Sequence, residues 1–272
     1  MPIDPQFRVK YGPTALVAGA AVGLGAEYSR QIAAQGLSLV LVDRDAGPLE
    51  QTCGEIRARH GVEVTPLVLD LARSDVGDAV KQATAGREIG LLVYNAAIGT
   101  VAPFMEMTPQ GIDATIDVNC RGPMRLVQAL APAMMARRRG GIVLMSSMSG
   151  NFGSAQLAVY AATKAFDLVF ADAIWFELKP HGVDVLAVQP GSTRTPGWLS
   201  SQDGDPGAGA PGVMDPADVV REALETLGRE PSLVPGEANR EGAAALRSLA
   251  RRDAIDLMSA ITAKLVRNDR PR

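Results

Sequence analysis

Within the stretch Ser149 to Phe166, "SGNFGSAQLAVYAATKAF", Tyr160 and Lys164 have the types and spacing to do chemistry together. Four residues apart on a helix, they lie one turn from each other on the same face. A free phenol has a pKa of about 10 and is a poor base at neutral pH. An ammonium a few ångström away favours the phenolate. Each pH unit of lowering is worth about 1.4 kcal/mol of differential stabilisation. With its pKa lowered by about two or three, the phenol could take a proton from an alcohol near pH 7, or return it to a ketone. The plainer alternative is a tyrosine packed on a core face with a lysine reaching past it to water. The elements that carry the pair decide between the two.

Short, nearly all-apolar runs alternate with longer segments of helical period. The runs are Thr14 to Ala18, Ser38 to Val42, Val64 to Leu69, Leu91 to Tyr94, Ile142 to Met145 and Val183 to Val188. Such runs are expected of strands covered on both faces. Helices are predicted to begin near Gly23, Pro48, Ser74, Pro109 and Ala155, then over Pro216 to Gly228 and Arg240 to Val266, with Ser232 to Val234 adding an edge strand. The pattern predicts an α/β fold of Rossmann type: a doubly wound parallel sheet of about seven strands with helices on both faces. One domain is expected over the 272 residues, with a flexible substrate loop from 192 to 213 and a C-terminal helical extension from 240 to 267.

Where the first strand turns into the first helix, "TALVAGAAVGLGAEYSRQIAAQG" places Gly19, Gly23 and Gly25. Glycines there permit a positive φ and let the backbone approach a pyrophosphate, whose charge a helix N-terminus favours. The next strand ends in Asp43, about twenty residues on. A carboxylate at that point can accept from both ribose hydroxyls of NAD and would repel a 2′-phosphate, whereas Arg44 could pair with that phosphate. Because Asp43 comes first and the glycine turn holds no Lys or Arg, NAD is preferred over NADP.

Gly19-x3-Gly23-x-Gly25, Asp70, "YNAAIG" (Tyr94 to Gly99), Asn119 in "DVNCRG", Ser147 in "IVLMSSMSG", Tyr160-x3-Lys164 and "PGSTRT" (Pro190 to Thr195) occur in this order. Together they resemble the short-chain dehydrogenase/reductase family, over about Tyr11 to Thr195. The resemblance implies an oxidoreductase that passes hydride between a nicotinamide and a secondary alcohol or ketone. By position it makes Tyr160 the acid/base, Lys164 its activator and Ser147 the hydrogen-bonding partner of the substrate oxygen, preferred over Ser146 on spacing. Asn119 would hold a water line to the lysine. Asp70 and Leu71 would meet the adenine edge, and Asn95, Ala96 and Ala97 the cofactor side of the fourth strand. Leu24 would join the glycine turn, and Pro190, Gly191, Thr193 and Thr195 the nicotinamide. Three positions depart from the family pattern: Ala18 lacks a hydroxyl that would tie the turn to the fourth strand, and Tyr94 and Ala97 replace an asparagine and a glycine.

Ser149, Phe152, Leu157 and Trp198 are the candidate substrate contacts, and Arg194 is the only cation of the Pro190 to Gly212 loop, which favours an apolar alcohol or ketone over an anion; a cyclic or steroid-like alcohol is an expectation that the residues themselves do not specify. A net charge of −3 offers no basic footprint for nucleic acid. Arg137-Arg138-Arg139 reads as a helix C-terminus. His60 and His181 read as surface residues, Cys53 and Cys120 as inert thiols, and no metal spacing is visible. The absence of a long apolar stretch implies a soluble, cytoplasmic protein without membrane contact. Apolar excess on Pro123 to Ala136 and Phe166 to Phe176 predicts a homo-oligomer, a dimer or tetramer as the resemblance implies. Two rival readings remain: an NADP-linked ketone reductase of the same family, and a dinucleotide sensor without turnover.

Overall fold

The computed structural model describes residues 5–199 and 212–266. The chain runs α1 (Pro5–Tyr11), β1 (Thr14–Ala18), α2 (Gly23–Ala34), β2 (Ser38–Asp43), α3 (Ala46–His60), β3 (Val64–Val68), α4 (Val76–Ala83) and β4 (Ile89–Tyr94). It continues through α5 (Pro109–Ile116), a π-helical turn (Asp117–Arg121), α6 (Gly122–Arg137), β5 (Gly140–Met145), α7 (Ala158–Leu178) and β6 (Val183–Val188). The last elements are α8 (Pro196–Leu199), α9 (Pro216–Thr226), β7 (Ser232–Leu233), α10 (Glu237–Ser248) and α11 (Arg251–Val266).

All seven strands pair in parallel, in the order β3-β2-β1-β4-β5-β6-β7. Side chains of a strand alternate between faces. Ala15 and Val17 of β1, Leu91 and Val93 of β4, and Val143 and Met145 of β5 therefore enter one core, with Tyr28 and Ile32 of α2 and Val220 and Ala223 of α9. Leu16 and Ala18, Leu92 and Tyr94, and Ile142 and Leu144 enter the other, with Leu126 and Met134 of α6 and Ala171 and Ile174 of α7. This two-sided burial is why the strands read as continuous apolar runs. The order reverses direction between β1 and β4, and a crevice opens there at the carboxyl ends of the strands.

Several boundaries differ from the sequence expectation. The helix expected near Ala155 begins at Ala158, because Ser154 to Leu157 form a turn (Leu157 N–H to Ser154 O, 3.2 Å) in which Gln156 takes a φ of +66°. The stretch from Arg240 to Val266 is two helices. Ser248 Oγ donates to the Ala245 carbonyl (2.7 Å) at the end of α10, and Leu249 is extended. Helix α1 had no periodic signal, being seven residues long; Tyr11 at its end is buried and its hydroxyl donates to Asp184 (2.6 Å). The basic run ends α6 as expected, with Arg137 donating to Ile89 O (2.8 Å) and Arg139 paired with Glu88 (2.5 Å). Residues 200–211 of the expected substrate loop lie outside the described residues.

Candidate active site

The turn after β1 needs each glycine for a different reason. Gly19 has a φ of +79°, and a Cβ on it would lie 2.6 Å from the backbone of Ala96. Gly23 has a φ of +61° and lies under Thr195, whose Cβ and methyl would be 3.3 Å from an added Cβ. Gly25 is buried beneath the turn, where a Cβ would strike Gly19 O at 1.9 Å. Asp43, at the end of β2, accepts from the Ala21 N–H (3.0 Å) and so fixes the turn from the neighbouring strand.

A cleft of about 330 Å³ follows the carboxyl ends of β1, β2 and β4. Gly19, Asp43, Arg44, Asp70, Leu71, Asn95, Ala96 and Ala97 line it, with Ala21, Val22 and Ile98. Sequence reasoning missed Val22. It is 52% exposed although apolar, and it caps the N-terminus of α2 at the cleft wall. Leu24, expected at the cofactor, is half-buried beside the glycine turn and packs against the core with α2. Asp70 is exposed and accepts from the Ala72 N–H (2.9 Å).

Two of the three departures from the family pattern, Ala18 and Tyr94, have local compensations. The Ala18 carbonyl accepts from the N–H groups of both Asn95 (2.9 Å) and Ala96 (3.0 Å), and Asn95 Nδ2 donates to Gly19 O (2.9 Å). Turn and fourth strand are therefore tied without the missing hydroxyl. Tyr94 is buried, and its hydroxyl donates to Val118 O (2.6 Å). Its ring fits because the facing residue is Gly122, where a Cβ would lie 2.0 Å from Tyr94 Oη.

At the reactive end, β5 delivers Ser146 and Ser147, and α7 delivers Tyr160 and Lys164. Ser146 is buried, and its Oγ donates to Lys164 O (2.6 Å). Ser147 is half-buried, and its Oγ accepts from the Ser149 N–H (3.2 Å) and hydroxyl (2.9 Å). Of the two serines, Ser147 has the hydroxyl that is not committed to the helix backbone. Tyr160 is half-buried, with Gly99 of the β4 loop against its ring edge. Lys164 is almost wholly buried, its Nζ 5.8 Å from the centre of the Tyr160 ring. The pair lies on one face, as the spacing required.

Lys164 does not reach past the ring to water. Its ammonium donates to Met145 O (2.7 Å) and to Asp167 Oδ2 (3.0 Å). Asp167 went unnoticed in the sequence, although a carboxylate three residues beyond Lys164 on a mostly apolar helix is a usable signal. Asn119 sits in the π-helical turn. Its side chain accepts from the Ile98 N–H (2.8 Å) and donates to Ile98 O (3.0 Å) and Thr163 Oγ1 (2.9 Å). These bonds fasten the β4 loop to α7. Thr163 Oγ1 donates in turn to Tyr160 O (2.8 Å).

Behind Lys164, Cys120 is buried and its thiol is pushed up to about 11, chiefly by burial; Cys53 behaves likewise. Both are neutral at pH 7.

The substrate candidates lie on three segments. Ser149 is buried and bonded to Ser147, Phe152 and Leu157 are half-buried on the segment that joins Ser147 to Tyr160, and Trp198 is half-buried on α8. Met148 N–H donates to Pro190 O (3.1 Å), joining the ends of β5 and β6. The Pro190 to Thr195 segment then crosses to the glycine turn through Thr195. Gly191 abuts the buried Asn239 of α10, where a Cβ would be 2.7 Å from Asn239 Oδ1, and Thr193 pairs with Met214 at the base of the loop. Helix α11 reaches the same side: Thr262 and Ser154 share a hydrogen bond of 2.6 Å, and the Ala155 N–H donates to Ser259 Oγ (3.1 Å). No described helix is long and apolar enough to cross a membrane, and no described cluster of His, Cys, Asp or Glu could hold a metal.

The model of the short chain dehydrogenase family matches residues 13–205. A 7β-hydroxysteroid dehydrogenase from Clostridium sardiniense is 30% identical over 250 residues, covering 92% of this chain and 95% of that protein. A solved 7β-hydroxysteroid dehydrogenase structure superposes with a TM-score of 0.85 at 29% identity, covering 95% of this chain and 99% of the other. A short-chain dehydrogenase from Sphingobium yanoikuyae, solved with NADPH, superposes with a TM-score of 0.74 at 32% identity over 96% and 99% of the two chains. With the glycine turn, the parallel sheet and the Tyr160–Lys164 face in the arrangement just described, this chain belongs to the short-chain dehydrogenase family of oxidoreductases.

Proposed function

We propose that the chain is an NAD(P)-dependent oxidoreductase that interconverts a secondary alcohol and a ketone on an apolar, ring-bearing substrate of hydroxysteroid type. The observation that carries the reading is the buried Lys164 ammonium 5.8 Å from the Tyr160 ring, with Gly99 of the loop after β4 against that ring. The plain alternative of a lysine passing a packed tyrosine into water does not describe so buried an ammonium. The steroid-like substrate class is supported by the 7β-hydroxysteroid dehydrogenases to which the chain is similar.

The chain's own residues would act as follows. Ser147 Oγ and the Tyr160 hydroxyl hold the substrate oxygen. Tyr160, as phenolate, takes the hydroxyl proton when the alcohol is oxidised and returns it when the ketone is reduced. Lys164 supplies the positive charge that favours the phenolate. Asn119 holds Ile98 and Thr163 in place around the ring. A dinucleotide suits the cleft, since Gly19 lines it beside Val22 at the N-terminus of α2, and Asp43 and Asp70 stand on its wall for ribose and adenine. The bound nicotinamide supplies the hydride acceptor or donor.

The choice of dinucleotide has two readings, each with its own support. Asp43, a carboxylate at the cleft wall, favours NAD by repelling a 2′-phosphate. The NADPH complex of a similar structure supports NADP, and the exposed Arg44 beside the cleft is the cation that could pair with the phosphate. A soluble, cytoplasmic location and assembly as a homo-oligomer complete the proposal.

The test is nicotinamide absorbance with NAD and NADP over a panel of hydroxysteroids, cyclic alcohols and their ketones, beside Tyr160→Phe. Turnover by the wild type, falling at least ~100-fold in Tyr160→Phe while cofactor binding persists, is the expected outcome. Cofactor binding without turnover on any substrate, with the variant indistinguishable, would establish a dinucleotide sensor instead.

A further inference from the structure

The Lys164–Asp167 pair is an unusual object for the interior of this helix. Both side chains are nearly inaccessible, at 3% and 4% exposure, and they sit one turn apart on α7 among apolar neighbours. Taking two charges out of water costs several kcal/mol each and is only partly repaid by their attraction. Asp167 engages one oxygen only: Oδ2 accepts from Lys164, while Oδ1 is buried with no hydrogen-bond partner among the described residues. A buried aspartate that merely knitted the core together would have both oxygens paired. The lysine, by contrast, already has a carbonyl acceptor in Met145. The aspartate's single contact is therefore with the ammonium that faces Tyr160.

Along the helix the three groups fall in line: Tyr160 one turn before Lys164, Asp167 one turn after. We infer that Asp167 is a positioning residue for the acid/base pair: its carboxylate anchors the Lys164 ammonium and offsets part of the positive charge that reaches the Tyr160 ring. Buried at 4% exposure and absent from the cleft lining, it acts through Lys164. This inference rests on the reading of Tyr160 as the acid/base, and extends it to what sets the working pH.

The groups facing Asp167 from other elements leave Lys164 as its charged partner. The Tyr94 phenol of β4 and the Cys120 thiol of the π-helical turn both feel the carboxylate, and both are held neutral at pH 7, first by burial and then by that charge. Burial raises Asp167 itself to about 6 against the lowering influence of Lys164, so the carboxylate is charged at neutral pH.

The measurement is an ultraviolet tyrosinate titration of the full-length protein, without substrate. It is favourable here because the chain has four tyrosines and burial pushes Tyr11, Tyr28 and Tyr94 well above the ordinary phenol range. The Tyr160 signal is identified as the one lost in Tyr160→Phe. Asp167→Asn keeps an oxygen for Lys164 and removes only the charge. It should ionise Tyr160 at a pH lower by about 0.5 or more, and Asp167→Glu should restore the wild-type value. The acid limb of kcat/KM for oxidation of a 7-hydroxysteroid should move the same way. Should Asp167→Asn not fold, Asp167→Ser removes the same charge with a smaller side chain. An unmoved or upward-shifted Tyr160 titration in the neutral variant overturns the inference, whatever the loss in melting temperature. A wild-type protein that turns over no alcohol would sink the proposed function and still leave the titration to decide on Asp167.

Discussion

Gly122 carries a consequence that can be worked from distances. It opens α6 directly after the π-helical turn that holds Asn119, and it faces the Tyr94 hydroxyl, which donates to Val118 O at 2.6 Å in a buried setting. In Gly122→Ala the new Cβ would lie 2.0 Å from Tyr94 Oη and 2.9 Å from Cζ, so the ring must move and its hydrogen bond must break. Overpacking of this kind costs about 1–3 kcal/mol. Leaving a buried donor and carbonyl unpaired adds about 1–3 kcal/mol. A centre value of about 3 kcal/mol corresponds to a fall in melting temperature of roughly 6–12 °C for a domain of this size. Differential scanning calorimetry of four proteins, wild type, Gly122→Ala, Tyr94→Phe and the double variant, checks the reasoning. Tyr94→Phe removes the atom in closest conflict, so the double variant should be more stable than Gly122→Ala alone, with a coupling of about 1 kcal/mol or more. A Gly122→Ala protein that melts with the wild type, or a double variant that melts below the single, would refute it.

Asp43→Ser removes the carboxylate from the cleft wall while leaving an oxygen for the Ala21 amide, and should lower KM for NADP at least about tenfold relative to KM for NAD; an unchanged ratio in steady-state assays would count against any role in cofactor choice. Thr262→Val deletes the 2.6 Å bond by which α11 holds Ser154, at a cost of about 1 kcal/mol; it should raise KM for the alcohol and leave KM for the cofactor alone. Light scattering should report a dimer or tetramer, since Phe176 (74% exposed) and Val169 (67%) of α7 and Met124 of α6 present apolar surface outward; a monomer would remove that expectation.

Much of the scaffold was legible before any coordinates. Strands buried on both faces must be apolar at every position, and six such runs separated by helical segments admit few topologies besides a parallel, doubly wound sheet. The three glycines were legible for a related reason, because a turn at the end of a strand that approaches a neighbouring backbone cannot carry a Cβ; Gly19 against Ala96 and Gly25 against Gly19 are two such approaches. The Tyr160–Lys164 face followed from helical period alone. Less was legible at the edges. The seven-residue α1 is too short to show a period, and the break between α10 and α11 falls where the Ser248 side chain bonds back to Ala245 O, a local choice that leaves no mark on the apolar pattern.

What the amino-acid order by itself determined is whatever a local repeat can specify: the alternation of elements, the turn that needs glycine, and two reactive side chains on one helical face. What only the tertiary structure decided is which groups meet across elements. Leu24 packed against the core, Asn119 spent its amide on Ile98, Asn95 replaced the hydroxyl missing at Ala18, and the Lys164 ammonium found Met145 O on β5 as well as Asp167. The physical reason is that burial removes water as the universal partner, so each polar group must bond to whatever the fold brings within about 3 Å, and that neighbour usually lies far away in the chain.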